Sequence, residues 1–163
     1  MMKKLFLFLM IFQIFLLFVG CNATKEASSN ILTLTQADER TIEEYLDAKT
    51  NDISSPFQGG RMYSAFKILG TDSNKIYLWM LKYEYLKESN ELTNGVSLPV
   101  VLTIKVKDNQ VVIENHSFPK DGAEYGPSLK KLFPQNIREQ ISENHNEIVK
   151  ALEQIIEDRI HAN

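Results

Sequence analysis

Between Val96 and Val106, apolar and polar residues alternate almost without interruption. Apolar side chains at every second position predict an antiparallel strand with one face against a core and the other in solvent. The dipeptide Asp108-Asn109 that follows favours a two-residue hairpin turn. In the register that this turn imposes, Val106 pairs with Val111 on the covered face. The solvent face then carries Thr103, Lys105, Glu114 and His116.

The segment from Lys75 to Lys87 is apolar on both of its faces. One face carries Tyr77, Trp79, Leu81, Tyr83 and Tyr85, and the other carries Ile76, Leu78 and Met80. A strand of this kind is usually central in a sheet and covered on each side. The alternative is that the aromatic face lines an open groove for a ligand or a partner, with Lys82 and Glu84 at its rim.

The segments before and after the strands have apolar residues at the spacing of a helix. Thr35 and Asp38 have the spacing of a helix cap, and Ile42 and Leu46 follow on one face, which predicts a helix from Gln36 to Lys49. The last segment of the chain predicts one long C-terminal helix with a single apolar stripe. That stripe consists of Ile137, Ile141, Ile148, Leu152, Ile155 and Ile156.

The order of these elements predicts the fold class. A helix, four strands and a C-terminal helix favour an α+β domain, in which an antiparallel meander sheet packs against helices in two layers. The topology resembles that of cystatin and NTF2-like domains. This analogy concerns topology, and folds of this kind carry unrelated functions.

The N-terminus has the three parts of a secretion signal. Residues 1–4 contain Lys3 and Lys4, residues 5–20 are apolar apart from Gln13, and polar sequence begins at Asn22. The apolar run is shorter than the ~20 residues that a membrane-spanning helix needs, so it is typical of a signal peptide.

The run Leu17-Phe18-Val19-Gly20-Cys21 resembles the lipobox of bacterial lipoproteins. The resemblance implies a diacylglyceryl group on the thiol of Cys21 and cleavage before that residue. Phe18 departs from the leucine that the family usually has three positions before the cysteine. The predicted organisation is a signal peptide at 1–20, the lipidated cysteine with a flexible tether at 21–34, and one α+β domain at 35–163. The alternative is an uncleaved N-terminal anchor in which Cys21 is incidental.

A second resemblance covers the mature chain. The run Pro119-Lys120-Asp121-Gly122, Tyr125 and the segment 129–134 are similar to parts of uncharacterised small lipoproteins of low-GC Gram-positive bacteria. This similarity implies a location at the membrane and no particular activity.

Charge and cysteine content narrow the function classes. The chain has 18 basic and 21 acidic residues, and signal cleavage would remove Lys3 and Lys4 and no acidic residue. An acidic domain is a poor partner for nucleic acid, whose binding depends on phosphate neutralisation. Cys21 is the single cysteine and the three histidines lack zinc-site spacing, so no metal and no cofactor are expected.

The leading hypothesis is a non-enzymatic binding module, held on the outer side of the cell membrane by its lipid, that recognises an envelope protein or a small ligand. Its candidate binding residues are Tyr77, Trp79, Tyr83, Tyr85 and His116. A small hydrolase is the first alternative, because His116 beside Glu114 has the composition of a general base with its orienting carboxylate. A structural component of the envelope is the second.

Overall fold

The computed structural model describes residues 32–162 of the chain. A single 3₁₀ turn, Gly122–Glu124, precedes the second helix of this part of the chain. The helices and strands, in chain order, are α1 (Gln36–Lys49), β1 (Arg61–Asp72), β2 (Lys75–Leu86), β3 (Glu91–Lys107), β4 (Gln110–Ser117), α2 (Tyr125–Leu132), α3 (Gln135–Glu143) and α4 (His145–His161).

The four strands form one antiparallel sheet in the order β1-β2-β3-β4, so each strand pairs with its neighbour in the sequence. The α+β class and the four-stranded antiparallel sheet flanked by helices are therefore confirmed. At the β3–β4 turn, Asp108 and Asn109 have φ values of 51° and 60°. Two consecutive positive φ values are the signature of the tight hairpin turn that this dipeptide predicts.

Helices cover both faces of the sheet. Ile42 and Leu46 of α1 pack on the face that carries Leu78 of β2. Helices α3 and α4 cover the opposite face, where Ile137 and Leu152 belong to one core with Tyr77 and Trp79. The two-layer arrangement expected from the sequence is thus wrong, and the domain has three layers. A central strand that is apolar on both faces requires cover on both.

The C-terminal segment forms two helices where the sequence predicts one. Helix α3 ends at Glu143 and α4 begins at His145, with Asn144 between them at φ −117° and ψ 15°. Asparagine is a weak helix former because its side chain competes for backbone hydrogen bonds. Five residues of the predicted stripe are buried, but Ile155 faces outward and is 42 % exposed. The break at Asn144 therefore divides the segment into two helices, and both contribute residues to the core on this face of the sheet.

A β-bulge divides the β3–β4 hairpin into two registers. Near the turn, Val106 pairs with Val111 and Ile104 pairs with Ile113, as the sequence predicts. Beyond a shift between Thr103 and Ile104, His116 pairs with Leu102. Because a slip of one residue exchanges the faces of a strand, His116 turns from the expected solvent side to the side of α1.

Helix α1 is tied to the sheet at its first turn. Thr35 and Asp38 form a capping box, in which the Thr35 hydroxyl oxygen accepts from the Asp38 amide and the Asp38 carboxylate accepts from the Thr35 amide. The second oxygen of Asp38 accepts from the Val111 amide of β4 at 2.8 Å. Leu32 and Leu34, which the sequence places in the tether, already pack against this core. The packed part of the chain therefore includes the residues just before α1.

Candidate functional site

The predicted lipidation site, Cys21, lies outside the described residues, as do the signal peptide and residues 21–31 of the tether. The lipid anchor therefore stays a prediction. The other candidate residues, on β2 and β4, lie within the described part of the chain.

The aromatic face of β2 is part of the core over most of its length. Tyr77 and Trp79 are 5 % and 4 % exposed, and the Trp79 indole Nε1 donates to the Ser97 hydroxyl at 2.9 Å. The His145 ring meets the Trp79 ring edge-on, with 4.8 Å between the centroids. At Tyr77 and Trp79, β2 is therefore covered on both faces. These two rings do not line an open groove.

Lys82 is fully buried, so the rim position that the groove alternative gives it is wrong. Its ammonium group donates to the Leu46 carbonyl at 3.1 Å and to the Thr50 hydroxyl at 2.8 Å, at the C-terminal end of α1. A cation is favourable there because the last carbonyls of a helix lack intrahelical donors. Burial lowers the pKa of Lys82 below its ordinary value, and the carboxylates of Asp47 and Asp52 oppose part of that change.

Glu84 is also fully buried, and the rim position that the groove alternative gives it is wrong as well. Its two carboxylate oxygens accept from the amides of Phe57, Gln58 and Gly60 at 2.7–3.0 Å, and from the Thr93 hydroxyl at 3.2 Å. Burial by itself raises the pKa of Glu84, but these hydrogen bonds outweigh it and lower the pKa below the ordinary value. Glu84 therefore holds the loop before β1 against the sheet.

His116 lies in a hydrogen-bonded chain with Tyr45 and Asp52. Its Nε2 is 3.0 Å from an Asp52 carboxylate oxygen, and its Nδ1 is 2.9 Å from the Tyr45 hydroxyl. Because a carboxylate only accepts, Nε2 donates to Asp52 and, in the neutral ring, Nδ1 accepts from Tyr45. The ring stacks on Phe118, and the His116 side chain is 9 % exposed. This chain fastens α1 and the loop after it to β4.

The predicted pair of His116 and Glu114 is not formed. The Glu114 carboxylate instead contacts the Lys105 ammonium at 2.7 Å, in an ion pair with both side chains about half exposed. The bulge is the physical reason, because it moves His116 to the α1 side of the sheet. A general base oriented by Glu114 therefore has no geometric support.

The outer edge of β1 is closed at Ser64 by residues from two helices. The Ser64 amide donates to an Asp47 carboxylate oxygen at 2.7 Å, and the Arg159 guanidinium donates to the Ser64 carbonyl. Arg159 also donates to the second Asp47 oxygen at 2.8 Å and lies 3.1 Å from the Glu43 carboxylate. We call Asp47, Ser64 and Arg159 the edge clasp, because they join α1 to α4 across the edge of the sheet.

Past the edge clasp, no strand within residues 32–162 pairs with the outer edge of β1. Both backbone groups of Ser64 point away from β2, and this orientation recurs at every second residue, so those of Phe66 and Ile68 point outward too. Among the described residues, no other group hydrogen-bonds to these outward groups. Unpaired strand edges are templates for a further strand.

This outer edge of β1 forms the floor of a groove of about 560 Å³ between α1 and α4. We call it the edge groove. Its α1 wall is polar and consists of Gln36, Glu39, Arg40 and Glu43. Its α4 wall is apolar and consists of Ile148, Ala151, Leu152 and Ile155.

The sequence predicts none of the residues that form the edge groove as a site. In the sequence, Phe66 and Ile68 have the pattern of ordinary strand residues. Asp47 and Arg159 have the pattern of charged residues on the solvent face of a helix. No signal in the sequence sets Ile155 apart, because Ile155 and Ile156 follow Leu152 by three and four residues, which is the spacing of one apolar helix face.

Within residues 32–162, no group of three or more His, Cys, Asp or Glu side chains has the arrangement of a metal site. In the same part of the chain, no helix has the length and apolar character needed to cross a bilayer. Comparison of the chain with protein-family models, with curated proteins and with solved structures finds no match in any of the three.

Proposed function

We propose that this protein is a non-enzymatic binding module, anchored through lipid on Cys21 to the outer side of the cell membrane, and that it binds an extended segment of an envelope protein in the edge groove. The observation that supports this most directly is that no group in the described part of the chain hydrogen-bonds to the outward backbone groups of Phe66 and Ile68 on the groove floor. The topological likeness to cystatin and NTF2-like domains belongs to the same proposal and adds no activity.

An extended segment suits the edge groove because its own backbone would complete the ladder on β1. Strand addition of this kind takes its affinity from main-chain hydrogen bonds and its specificity from alternate side chains. A bound strand would direct one set of side chains to the apolar wall at Ile155 and the other to the polar wall at Glu39. The preferred ligand therefore alternates apolar and polar residues.

The ends of the edge groove limit the length of the segment. The edge clasp occupies the outward groups of Ser64, and the strand register shifts between Ile68 and Gly70. Between these points lie about four residues of β1, or roughly 13 Å of strand. A second sheet with its own covering helices would meet α1 and α4, so a single strand fits better than a sheet edge.

Site-directed photo-crosslinking in intact cells tests the proposal. A benzoylphenylalanine in place of Ile155 is expected to give a discrete crosslinked partner, because this side chain is 42 % exposed on the wall of the edge groove. The matched control is the same replacement at Val112, which is 37 % exposed on β4 at the opposite edge of the sheet. Digestion of the product should map the crosslink to one short segment of the partner.

A filling substitution completes the experiment. Ala151→Trp narrows the edge groove from the solvent side of α4, and we expect it to reduce affinity for the mapped segment, as a synthetic peptide, at least tenfold. Equal crosslinking from positions 155 and 112, or unchanged affinity in Ala151→Trp, would contradict the proposal. A complete absence of discrete crosslinks from either position would favour the structural alternative.

A further inference from the structure

A second concave surface lies at the other end of β1, where the loop before β1, the β2–β3 turn and the end of α4 meet. It is a cleft of about 690 Å³, which we call the tyrosine cleft. The residues that matter for its chemistry are Arg61, Tyr63, Tyr85, Lys87, Glu88 and Glu91. A volume of this size is in the range of small-molecule sites.

Two tyrosine rings form one side of the tyrosine cleft. The rings of Tyr63 and Tyr85 meet edge-to-face with 6.2 Å between the centroids, and the Arg61 guanidinium lies 4.9 Å from the centroid of Tyr63. Tyr63 is buried, whereas Tyr85 is half-buried and therefore presents part of its ring to the cleft. The Tyr85 hydroxyl donates to the Asn90 side-chain oxygen at 2.8 Å, which fixes the direction of the ring.

The loop before β1, which forms another part of the lining, is held in place by hydrogen bonds to β2. The Glu84 carboxylate accepts from the Gln58 and Gly60 amides, and those residues line the cleft. A Cβ atom at Gly60 would lie 2.6 Å from the Tyr85 carbonyl oxygen, so this position needs glycine for the close approach of loop and strand. A preformed wall reduces the ordering cost of binding.

The charges of the tyrosine cleft favour a neutral ligand that has many hydroxyl groups. Its two cations, Arg61 and Lys87, equal its two carboxylates, Glu88 and Glu91, in number, so the lining has no net formal charge that would select an anion or a cation. A hydroxyl group both donates and accepts, so one neutral ligand can satisfy carboxylates and cations together. A sugar ring adds an apolar face of C–H groups that packs on an aromatic ring.

From these observations we infer that the tyrosine cleft binds a saccharide, with one sugar ring against Tyr85 and its hydroxyls among Arg61, Lys87, Glu88 and Glu91. This site is separate from the edge groove and does not depend on the function proposed for it. It would give the module a contact with envelope glycans in addition to a protein partner.

Ligand-observed saturation-transfer NMR tests the inference on the full chain in a detergent that contains no sugar. The probes are maltotetraose, cellotetraose and the tetramer of N-acetylglucosamine, each added separately. At least one is expected to receive saturation from the protein, and Tyr85→Ala should weaken its binding at least tenfold. Tyr85→Phe keeps the ring and loses the bond to Asn90, so it should bind more tightly than Tyr85→Ala.

Two further variants keep the result interpretable. Tyr125→Ala is the matched control, because Tyr125 is a 39 % exposed tyrosine on α2 and does not line the cleft. Glu91→Ala changes an exposed residue of the cleft and should weaken saccharide binding. It therefore tests the inference independently if Tyr85→Ala does not fold. The inference is overturned if none of the three saccharides binds, if Glu91→Ala and a folded Tyr85→Ala bind like the unmodified protein, or if Tyr125→Ala loses as much affinity as Tyr85→Ala.

Discussion

Lys82 and Glu84 are two residues apart on the same face of β2, and both are fully buried. Each side chain hydrogen-bonds to a different stretch of the chain. Lys82 donates to acceptors at the end of α1, and Glu84 accepts from donors in the loop before β1. A buried charge is tolerated where hydrogen bonds replace its water. This explains how an apparently solvated Lys-x-Glu pattern is compatible with a central strand.

The acid sensitivity of the fold should depend on Glu84. Its pKa lies below the ordinary value of 4.5, so under acidic conditions the folded state binds fewer protons at this group than the unfolded state does. The stabilisation is therefore complete above that ordinary value and is lost as the pH falls through the lower folded-state value. Glu84→Gln should flatten the fall in the free energy of unfolding between about pH 6 and about pH 3, measured by urea denaturation.

The matched control for this measurement is Glu114→Gln. Glu114 is a half-exposed carboxylate in the surface pair with Lys105, and such pairs contribute little to stability. This variant should keep the acid dependence of the unmodified protein. A profile of Glu84→Gln that runs parallel to the unmodified one would show that Glu84 has no such role.

At the scale of elements, the β3–β4 hairpin depends on two local devices. The turn residues Asp108 and Asn109 both adopt the left-handed conformation, which matches the twist of the flanking strands. The bulge, which follows Ile113 on β4, then changes the face of the last residues of that strand. Without the bulge, His116 would face away from α1 and would have no contact with Tyr45.

The turn gives a prediction with a definite sign. Asn109 has a φ of 60°, a conformation that glycine adopts at lower cost than any other residue. Asn109→Gly should raise the free energy of unfolding by about 0.5 kcal/mol, and Asn109→Ala should lower it by about 1 kcal/mol. Chemical denaturation midpoints at constant slope measure both changes. A destabilised Asn109→Gly, with Asn109→Ala unchanged, would be incompatible with the left-handed turn.

At the scale of the whole molecule, the start of the described chain lies beside the edge groove. Leu32 and Leu34 line a small cavity together with Ile68, whose outward backbone also belongs to the groove floor. Ten residues lie between Cys21 and Leu32, and the chain from one to the other spans at most about 40 Å. If Cys21 carries the lipid, the edge groove therefore stays within that reach of the membrane surface.

Lipidation is testable by itself. Labelling of cells with radioactive palmitate should mark the protein, and Cys21→Ala should abolish the mark and leave residues 1–20 attached, because the lipobox resemblance places both reactions at this cysteine. Phe18→Leu brings the sequence closer to the usual lipobox and should label at least as strongly as the unmodified protein. A label that persists in Cys21→Ala would show that the lipid is elsewhere, and a complete absence of label would favour the uncleaved anchor.

The sequence by itself determines the features that depend on neighbours along the chain. The alternation from Val96 to Val106 and the turn at Asp108-Asn109 specify a strand, its hairpin and the pairing of Val106 with Val111. The apolar character of both faces of β2 indicates a central position in the sheet. These inferences hold because strand periodicity and turn geometry are local properties of the backbone.

Only the tertiary structure decides the features that join distant parts of the chain. The bulge turns His116 to the other face of the sheet, and the packing of the domain buries Lys82 and Glu84. The edge clasp joins Asp47 to Arg159, which are 112 residues apart in the sequence. Charged residues look alike in a sequence whether they face water or backbone groups. Their environment depends on which helices cover the sheet, and that is settled by packing of the whole domain.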